Sequence, residues 1–145
     1  MAELNTHPVF GELRWEQEYG WWSTQVRLSA AERLDVIVNP GDDDRFAFIE
    51  SAAKLYCRAM RAERRILRDA LREELLELYN DTWRRGEEPE LTAKELMSRL
   101  KFSLIEIDTV VPITLNYEAA GLFGGHSVAV EVDEELQFQD IDLQG

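Results

Sequence analysis

The chain opens with three segments in which hydrophobic and polar residues alternate, the pattern of β-strands that bury one face. They span residues 9–15, 21–28 and 34–38. Glu18-Tyr19-Gly20 supplies a turn after the first segment, and Pro40-Gly41 ends the third. We therefore expect three antiparallel strands, the second with Trp21 and Trp22 on opposite faces.

From Phe46 to Trp83 the period changes to that of an α-helix, and the segment contains no Gly or Pro. The helical phase is kept throughout, which predicts one continuous helix rather than two. The run 42–44 of three Asp residues offers an N-cap, and Arg84-Arg85-Gly86 marks the end. The residues assigned to the apolar stripe of this helix are Ile49, Ala53, Tyr56, Cys57, Met60, Leu67, Leu71, Leu75 and Leu78.

A second apolar patch on the same helix must also be covered. It consists of Leu55, Ala59, Ala62 and Ile66 and lies opposite the stripe. The helix would be roughly 57 Å long, whereas a globule of this chain length measures about 38 Å across. The short helix that follows or a second copy of the chain would cover the patch, and the protruding length favours a homodimer.

Alternation resumes after a second, short helix. Leu91-Thr92-Ala93-Lys94-Glu95-Leu96 matches a capping box with its hydrophobic staple. Strands follow around residues 102–108, 113–117, 126–132 and 136–143. Small groups of strands are marginally stable alone, so we expect both groups to share one sheet. The predicted fold class is α+β, a single domain over residues 1–145 with an antiparallel sheet built from N-terminal and C-terminal strands and packed against one long central helix and one short helix.

The composition adds a strong acidic bias to this picture. The 145 residues carry a formal net charge of −13, and residues 102–145 contain nine acidic and no basic side chains. Such a C-terminal third repels phosphate groups, so we expect no binding to nucleic acid or to an anionic membrane. A basic protein partner suits it better, although acidic residues can also serve only to keep a domain soluble.

Several classes of site are disfavoured. No apolar run approaches the ~18 residues of a membrane span, and the start lacks the pattern of a signal peptide, so a cytoplasmic protein is expected. The single cysteine, Cys57, lies on the apolar stripe and is expected in the core. The three consecutive Asp residues lack the spacing of a calcium loop. We therefore expect neither a metal nor a cofactor.

A glycine-rich stretch precedes one of the C-terminal strands, and we expect Gly121, Phe123, Gly125 and His126 to form a structural turn. It is not a phosphate loop, because neither a Lys-Ser/Thr pair nor a helix follows. His126 has the chemistry of an acid, base or metal ligand. It shares its strand face with the following valines, however, which favours a hydrogen-bonded structural histidine beside a bulge.

Three motifs resemble the bacterial DUF2262 family of domains of unknown function. They are His7-Pro8-Val9-Phe10-Gly11-Glu12-Leu13, Leu78-Tyr79-Asn80-Asp81-Thr82-Trp83, and Gly121-Leu122-Phe123-Gly124-Gly125-His126-Ser127-Val128 leading into Asp140-Ile141-Asp142. Gly124 departs from the bulkier aromatic residue expected there. The resemblance implies a small cytoplasmic bacterial protein with no established enzymatic activity. Similar single-domain proteins often occur beside polymorphic toxins as immunity proteins.

The function favoured by these features is protein binding, most concretely as an immunity-type inhibitor of a basic, nuclease-like toxin. The residues assigned to the partner surface are Glu131, Asp133, Asp140 and Asp142, with Trp21 as an aromatic anchor. The alternative is a non-catalytic structural or regulatory homodimer that uses the long helix.

An enzyme is the least favoured class, and no catalytic residue is assigned. The chain has two histidines, one core-type cysteine and no cluster with metal-ligand spacing. The adjacent pair His126 and Ser127 would point to opposite faces of a strand, which defeats a simple nucleophile and base.

Overall fold

The computed structural model describes residues 3–145, and one sheet of eight strands dominates it. The strands lie side by side in the order of the sequence. Their bounds are β1 Leu4–His7, β2 Gly11–Glu16, β3 Trp21–Arg27, β4 Arg33–Asn39, β5 Lys101–Asp108, β6 Ile113–Glu118, β7 Ser127–Val132 and β8 Phe138–Gln144.

A long helical segment separates β4 from β5. It begins with α1, Arg45–Ala70, and continues through a π-helical turn at Leu71–Leu75, α2 at Leu76–Leu78 and a second π-helical turn at Tyr79–Trp83. We call the whole of 45–83 the long helix. A short helix, α3, follows at Ala93–Ser98. Within residues 3–145, no helix is both long enough and apolar enough to cross a membrane.

The predicted fold class, an α+β domain on an antiparallel sheet, is wrong. Strands make up 36% and helices 31% of a sheet-rich fold, and the eight-stranded sheet is mixed. β4 and β5 pair in parallel, with Val36 opposite Ile105, whereas the neighbouring pairs are antiparallel. The physical reason is that the long helix carries the chain back along the sheet, so β5 starts at the same end as β4.

The N-terminal strand prediction also needs correction. The strand expected from Val9 starts at Gly11, and an additional strand, β1, precedes it. Pro8 has no backbone N–H for the strand ladder, and Gly11 has a φ of +73° that suits a tight turn. Alternation in the predicted strand sets Val9 on the same face as Leu13 and Trp15, and Phe10 on the opposite face. In the structure Val9 is exposed, and Phe10 is 3% exposed in the core with Leu13.

The long helix buries a face that differs in part from the predicted stripe. Cys57, Met60 and Leu78 are only half-buried, whereas Ala59 and Ile66 of the second patch are fully buried in the single chain. Beyond residue 66 the large buried side chains of the long helix repeat every four residues, at Leu67, Leu71, Leu75 and Tyr79. A four-residue repeat drifts around a regular α-helix, and the wider π-helical turns bring these side chains back to one face.

The start of the long helix is fixed to the N-terminal strands. The Asp44 carboxylate accepts the backbone N–H groups of Phe46 and Ala47, as expected for an N-cap. The indole N–H of Trp22, which is fully buried, donates to the Arg45 carbonyl oxygen at 3.0 Å. The Arg45 guanidinium lies 4.7 Å from the centre of the Trp15 ring.

The middle of the helix is tied to the sheet by one buried hydrogen bond. The Tyr117 hydroxyl donates to the Glu63 carboxylate at 2.6 Å. Tyr117 is 1% exposed, so burial raises the pKa of its hydroxyl, and the neighbouring Glu63 charge raises that pKa further.

The glycine-rich turn between β6 and β7 packs on the end of the long helix. Phe123 is fully buried, and its ring meets those of Tyr79 and Trp83 edge to face at 5.7 and 6.2 Å. A Cβ atom at Gly124 would lie 2.9 Å from Cζ3 of Trp83. A bulkier residue at this position therefore has no room while Trp83 keeps its place.

The packing of Trp83 predicts unequal effects of two glycine substitutions. Gly124→Ala adds a clash to an unfavourable φ of +64° and should lower the free energy of unfolding by about 1–3 kcal/mol. Gly125→Ala has a φ of +89° but open space around its Cβ, so it should cost only the backbone strain. Urea unfolding of both variants measures the difference. Equal losses would show that Trp83 does not constrain the turn.

Candidate functional site

One face of the sheet lacks a helical cover and carries most of the charged strand residues. The register places Glu106, Thr114, Glu131 and Asp140 in one row across β5, β6, β7 and β8. In β5, β6 and β7 the neighbouring residues point to the opposite face and are buried in the core beneath the long helix, as Ile105, Leu115 and Val130 are. Asp142 lies on the same face, two residues beyond Asp140 on β8.

We call Glu106, Glu131, Asp140 and Asp142 the acidic face. Glu131 lies directly opposite Asp140, and such cross-strand pairs have Cβ atoms roughly 5 Å apart. Like charges in this arrangement repel each other. None of the four residues takes part in an ion pair with another described residue. The Asp142 carboxylate accepts a hydrogen bond from the side-chain amide of Gln144, but no cationic side chain of the described residues offsets the repulsion between Glu131 and Asp140.

The pKa values of two of these carboxyl groups reflect their surroundings. Partial burial raises the pKa of Glu131, and the charges of Asp140 and Asp142 raise it further. Burial also raises the pKa of Glu106, with an additional contribution from Asp108. Both carboxylates would be stabilised by a nearby positive charge.

An unsatisfied donor lies on the same face. Asn116 on β6 is 4% exposed, and its Nδ2 atom has no hydrogen-bond partner among the described residues. It sits between Leu104 of β5 and Ala129 of β7, next to the row that holds Glu106 and Glu131. Sequence reasoning missed Asn116, because an Asn in an apolar strand gives no sign of which face is left uncovered.

Asp133 does not join the acidic face. It follows the end of β7, and its carboxylate accepts the backbone N–H groups of Glu135 and Gln137 and the side-chain amide of Gln139. These bonds hold the turn between β7 and β8. The structure thus brings together three of the four acidic residues named from the sequence, and it adds Glu106.

Trp21 lies on the uncovered face, but at the other end of the sheet. Its ring stacks on that of Tyr19, with centroids 4.7 Å apart and planes 10° from parallel. The pair borders a shallow groove of about 710 Å³ that also contains Arg14 and Asp35. Four strand intervals separate β3 from β7, so Trp21 and Glu131 are about 19 Å apart across the sheet. One small ligand would not contact both, whereas a protein surface could.

The turn formed by Gly121, Phe123, Gly125 and His126 is packed against the helix end. The His126 ring lies 5.8 Å from that of Trp83, and its Nδ1 atom is buried without a hydrogen-bond partner among the described residues. The prediction of a hydrogen-bonded His126 side chain is therefore wrong for its Nδ1 atom.

The other histidine, His7, forms a contact that the sequence did not reveal. Its Nε2 lies 2.7 Å from a carboxylate oxygen of Glu50, and its Nδ1 accepts the backbone N–H of Val9. This leaves the proton on Nε2, where it donates to Glu50. Cys57 borders the same shallow cavity, but neither ring nitrogen of His7 is free to take a proton from its thiol.

The arrangement of acidic side chains does not resemble a metal site. Within residues 3–145 no three His, Cys, Asp or Glu residues are grouped so that they could hold a metal ion. In the run 42–44, Asp44 is used as the helix N-cap.

Comparison with known proteins places the chain in a family. No curated protein and no solved structure matches it. A family model described as an uncharacterized protein conserved in bacteria matches residues 7–143. The chain therefore belongs to the DUF2262 family.

Proposed function

We propose that this protein is a non-catalytic, cytoplasmic binding protein whose acidic face receives a basic protein partner. The most concrete form of this function is an immunity-type inhibitor of a basic, nuclease-like toxin. The proposal rests above all on the register of β7 and β8, which sets Glu131 opposite Asp140, in a part of the chain without Lys or Arg.

The energetics favour a cationic partner. The fold holds Glu131, Asp140 and Asp142 close together and raises the pKa of Glu131. A Lys or Arg side chain placed over these carboxylates would remove their repulsion and favour the ionised form of Glu131. The free energy that opposes ionisation in the isolated chain thus becomes a driving force for association.

The size of the uncovered face suits a protein. Eight strands spaced about 4.8 Å apart, each some six residues long, give a face of roughly 34 by 20 Å. That is about 700 Å², close to the roughly 800 Å² that each partner contributes to a standard interface. A partner of this size would reach both the acidic face and the stacked rings of Trp21 and Tyr19, and the rings would supply the apolar part of the contact.

The net charge adds long-range attraction. A protein with a charge of −13 accelerates its encounter with a basic partner, and the effect weakens as salt screens it. Nuclease toxins carry basic surfaces because they grip phosphates, so a surface lined with carboxylates competes with their substrate.

A homodimer through the long helix is the alternative, but its main support has weakened. It was inferred from an apolar patch that needed a cover. Ala59 and Ile66 of that patch are 0% and 1% exposed in the single chain. The patch is largely covered without a second copy.

Capture of a partner from a lysate of the bacterium that encodes the protein tests the proposed binding. The tagged chain should retain a basic protein in stoichiometric amounts at about 50 mM salt and release most of it at about 300 mM. Reversing two charges with Asp140→Lys and Asp142→Lys should reduce the amount retained at least tenfold, because the partner's cations then meet positive charge. Quantitative mass spectrometry of the retained proteins measures the change.

The matched control reverses two exposed acidic residues on the long helix, Glu74→Lys and Glu77→Lys, and changes the net charge by the same amount. It should leave capture close to that of the wild type. Equal losses in both variants would show that only total charge matters. If the wild-type chain retains no basic protein, the proposed function is wrong.

The acidic face should also lower the stability of the folded protein. Because the pKa of Glu131 is raised in the folded protein, its ionised form lowers the free energy of unfolding at neutral pH. This penalty disappears as pH falls and the carboxyl takes up a proton in the folded state. Glu131→Gln should therefore stabilise the protein at pH 7 by up to about 1 kcal/mol, since solvent screens a partly exposed group, and by less near pH 4.5.

Urea unfolding at both pH values measures this difference, with Glu74→Gln as the control for removing an exposed charge elsewhere. If Glu131→Gln is less stable than the wild type at pH 7, the Glu131 charge does not destabilise the folded protein, and the prediction is wrong.

A further inference from the structure

A separate pocket lies where the long helix ends. It has a volume of about 400 Å³, within the range of small-molecule sites. Its walls come from three parts of the chain, which are the last turn of the long helix, the segment around α3 and the glycine-rich turn at 120–122. None of the acidic-face residues lines it.

The floor of the pocket is aromatic and contains an unused hydrogen-bonding group. Tyr79 and Trp83 both line it, and Tyr79 is 2% exposed. The Tyr79 hydroxyl forms no hydrogen bond with another described residue, yet it is not among the polar atoms sealed from solvent. The hydroxyl is therefore accessible to solvent although the side chain is almost fully buried. We infer that it faces the cavity that the Tyr79 ring lines. Polar atoms on side chains this buried usually have a hydrogen-bond partner, and here water or a bound molecule would supply it.

The rim carries two arginines that form no ion pair within the described part of the chain. Arg85 and Arg99 line the pocket. Besides the hydrogen bonds of the capping box, the charge of Arg99 acts on the Glu95 carboxyl and helps to lower its pKa. The neighbouring Arg84 is used differently, since its side chain donates to the carbonyl oxygens of Asn80 and Glu88. Nine of the thirteen arginines form no ion pair with another described residue, so what distinguishes Arg85 and Arg99 is that both line one cavity.

Two features disfavour binding of an anion in this pocket, but the electrostatic effect of each is small. Glu88 lines it, so the charged lining of Arg85, Arg99 and Glu88 sums to one positive charge. The last carbonyl groups of the long helix also carry partial negative charge at the pocket. Those of Tyr79 and Asn80, however, already accept hydrogen bonds from Arg84. The balance still favours an anion.

We propose that this pocket binds a small organic anion that carries a planar ring. The ring lies against Trp83 and Tyr79, and the carboxylate or phosphate lies between Arg85 and Arg99, whose planar guanidinium groups match both anions. The Tyr79 hydroxyl hydrogen-bonds the ligand. The proposal does not depend on the acidic face, because it uses a different part of the chain and the opposite charge.

The test is isothermal titration calorimetry with a panel of defined compounds on the full chain. The ring-bearing anions are the four nucleoside 5′-monophosphates and indole-3-carboxylate. The matched compounds are the uncharged nucleosides, indole-3-carboxamide and inorganic phosphate. At least one ring-bearing anion should bind at least tenfold more tightly than its uncharged counterpart and than inorganic phosphate. The nucleotides and the indole acid distinguish a phosphate ligand from a carboxylate ligand.

Variants then assign the binding to the pocket. Arg99→Gln and Arg85→Gln should each weaken binding at least tenfold, and Tyr79→Phe should weaken it several-fold while keeping the ring. Arg61→Gln, an exposed arginine on the outside of the long helix, is the control and should bind as the wild type does. Both rim arginines are exposed, so their substitution should leave the thermal unfolding temperature nearly unchanged.

Three outcomes would overturn the proposal. The first is that no ring-bearing anion in the panel binds with a Kd below about 1 mM. The second is that inorganic phosphate binds as tightly as the best of them, which would leave no role for the aromatic floor. The third is that the Arg85 and Arg99 variants bind as well as the Arg61 control.

Discussion

The parallel pairing of β4 with β5 determines how the long helix and the sheet are arranged. A hairpin cannot join two parallel neighbours, so the chain must cross back over the sheet before β5 begins. The long helix makes this crossing and covers the sheet on one face. The opposite face is left to the side chains that the strands point away from the core. The acidic face is therefore a consequence of the topology as well as of the composition.

The long helix can serve as this connection because both of its ends and its middle are attached to the sheet. Trp22 binds the backbone at the start, Tyr117 binds Glu63 in the middle, and Phe123 packs under the end. The π-helical turns keep the apolar side chains of the second half on the core side. The glycine-rich turn, the most unusual stretch of the sequence, packs around Trp83 and also provides a wall of the pocket.

Local patterns predicted the individual elements better than their arrangement. The Asp44 cap and the capping box at Thr92 are both present, since each depends on residues within one helical turn. The parallel pair was missed because alternation in β4 and β5 says nothing about their relative direction. The strand β1 and the buried position of Phe10 were missed because Pro8 and Gly11 form a turn inside a stretch that alternates.

The same limit explains which residues of the candidate site were predicted from the sequence and which were missed. The acidic bias of residues 102–145 was enough to name Glu131, Asp140 and Asp142, and the structure places them on one face. Glu106 was missed because its position beside them depends on the pairing of β5 with β6. Asp133 was included because a count of charge does not show that its carboxylate holds a turn. His7 and Glu50 are 43 residues apart, and no local signal connects them. The binding role of the acidic face and of Trp21 stays a prediction.

Carboxyl footprinting shows whether a partner binds over the acidic face. The chain alone and its complex with the captured partner are labelled with a carbodiimide and glycine ethyl ester, and the modified residues are quantified by mass spectrometry. If the partner covers the acidic face, labelling of Asp140 and Asp142 should fall several-fold in the complex. Labelling of Glu74 and Glu77 on the long helix should stay unchanged. Protection of the helix carboxylates with unchanged labelling of Asp140 and Asp142 would contradict binding over the acidic face.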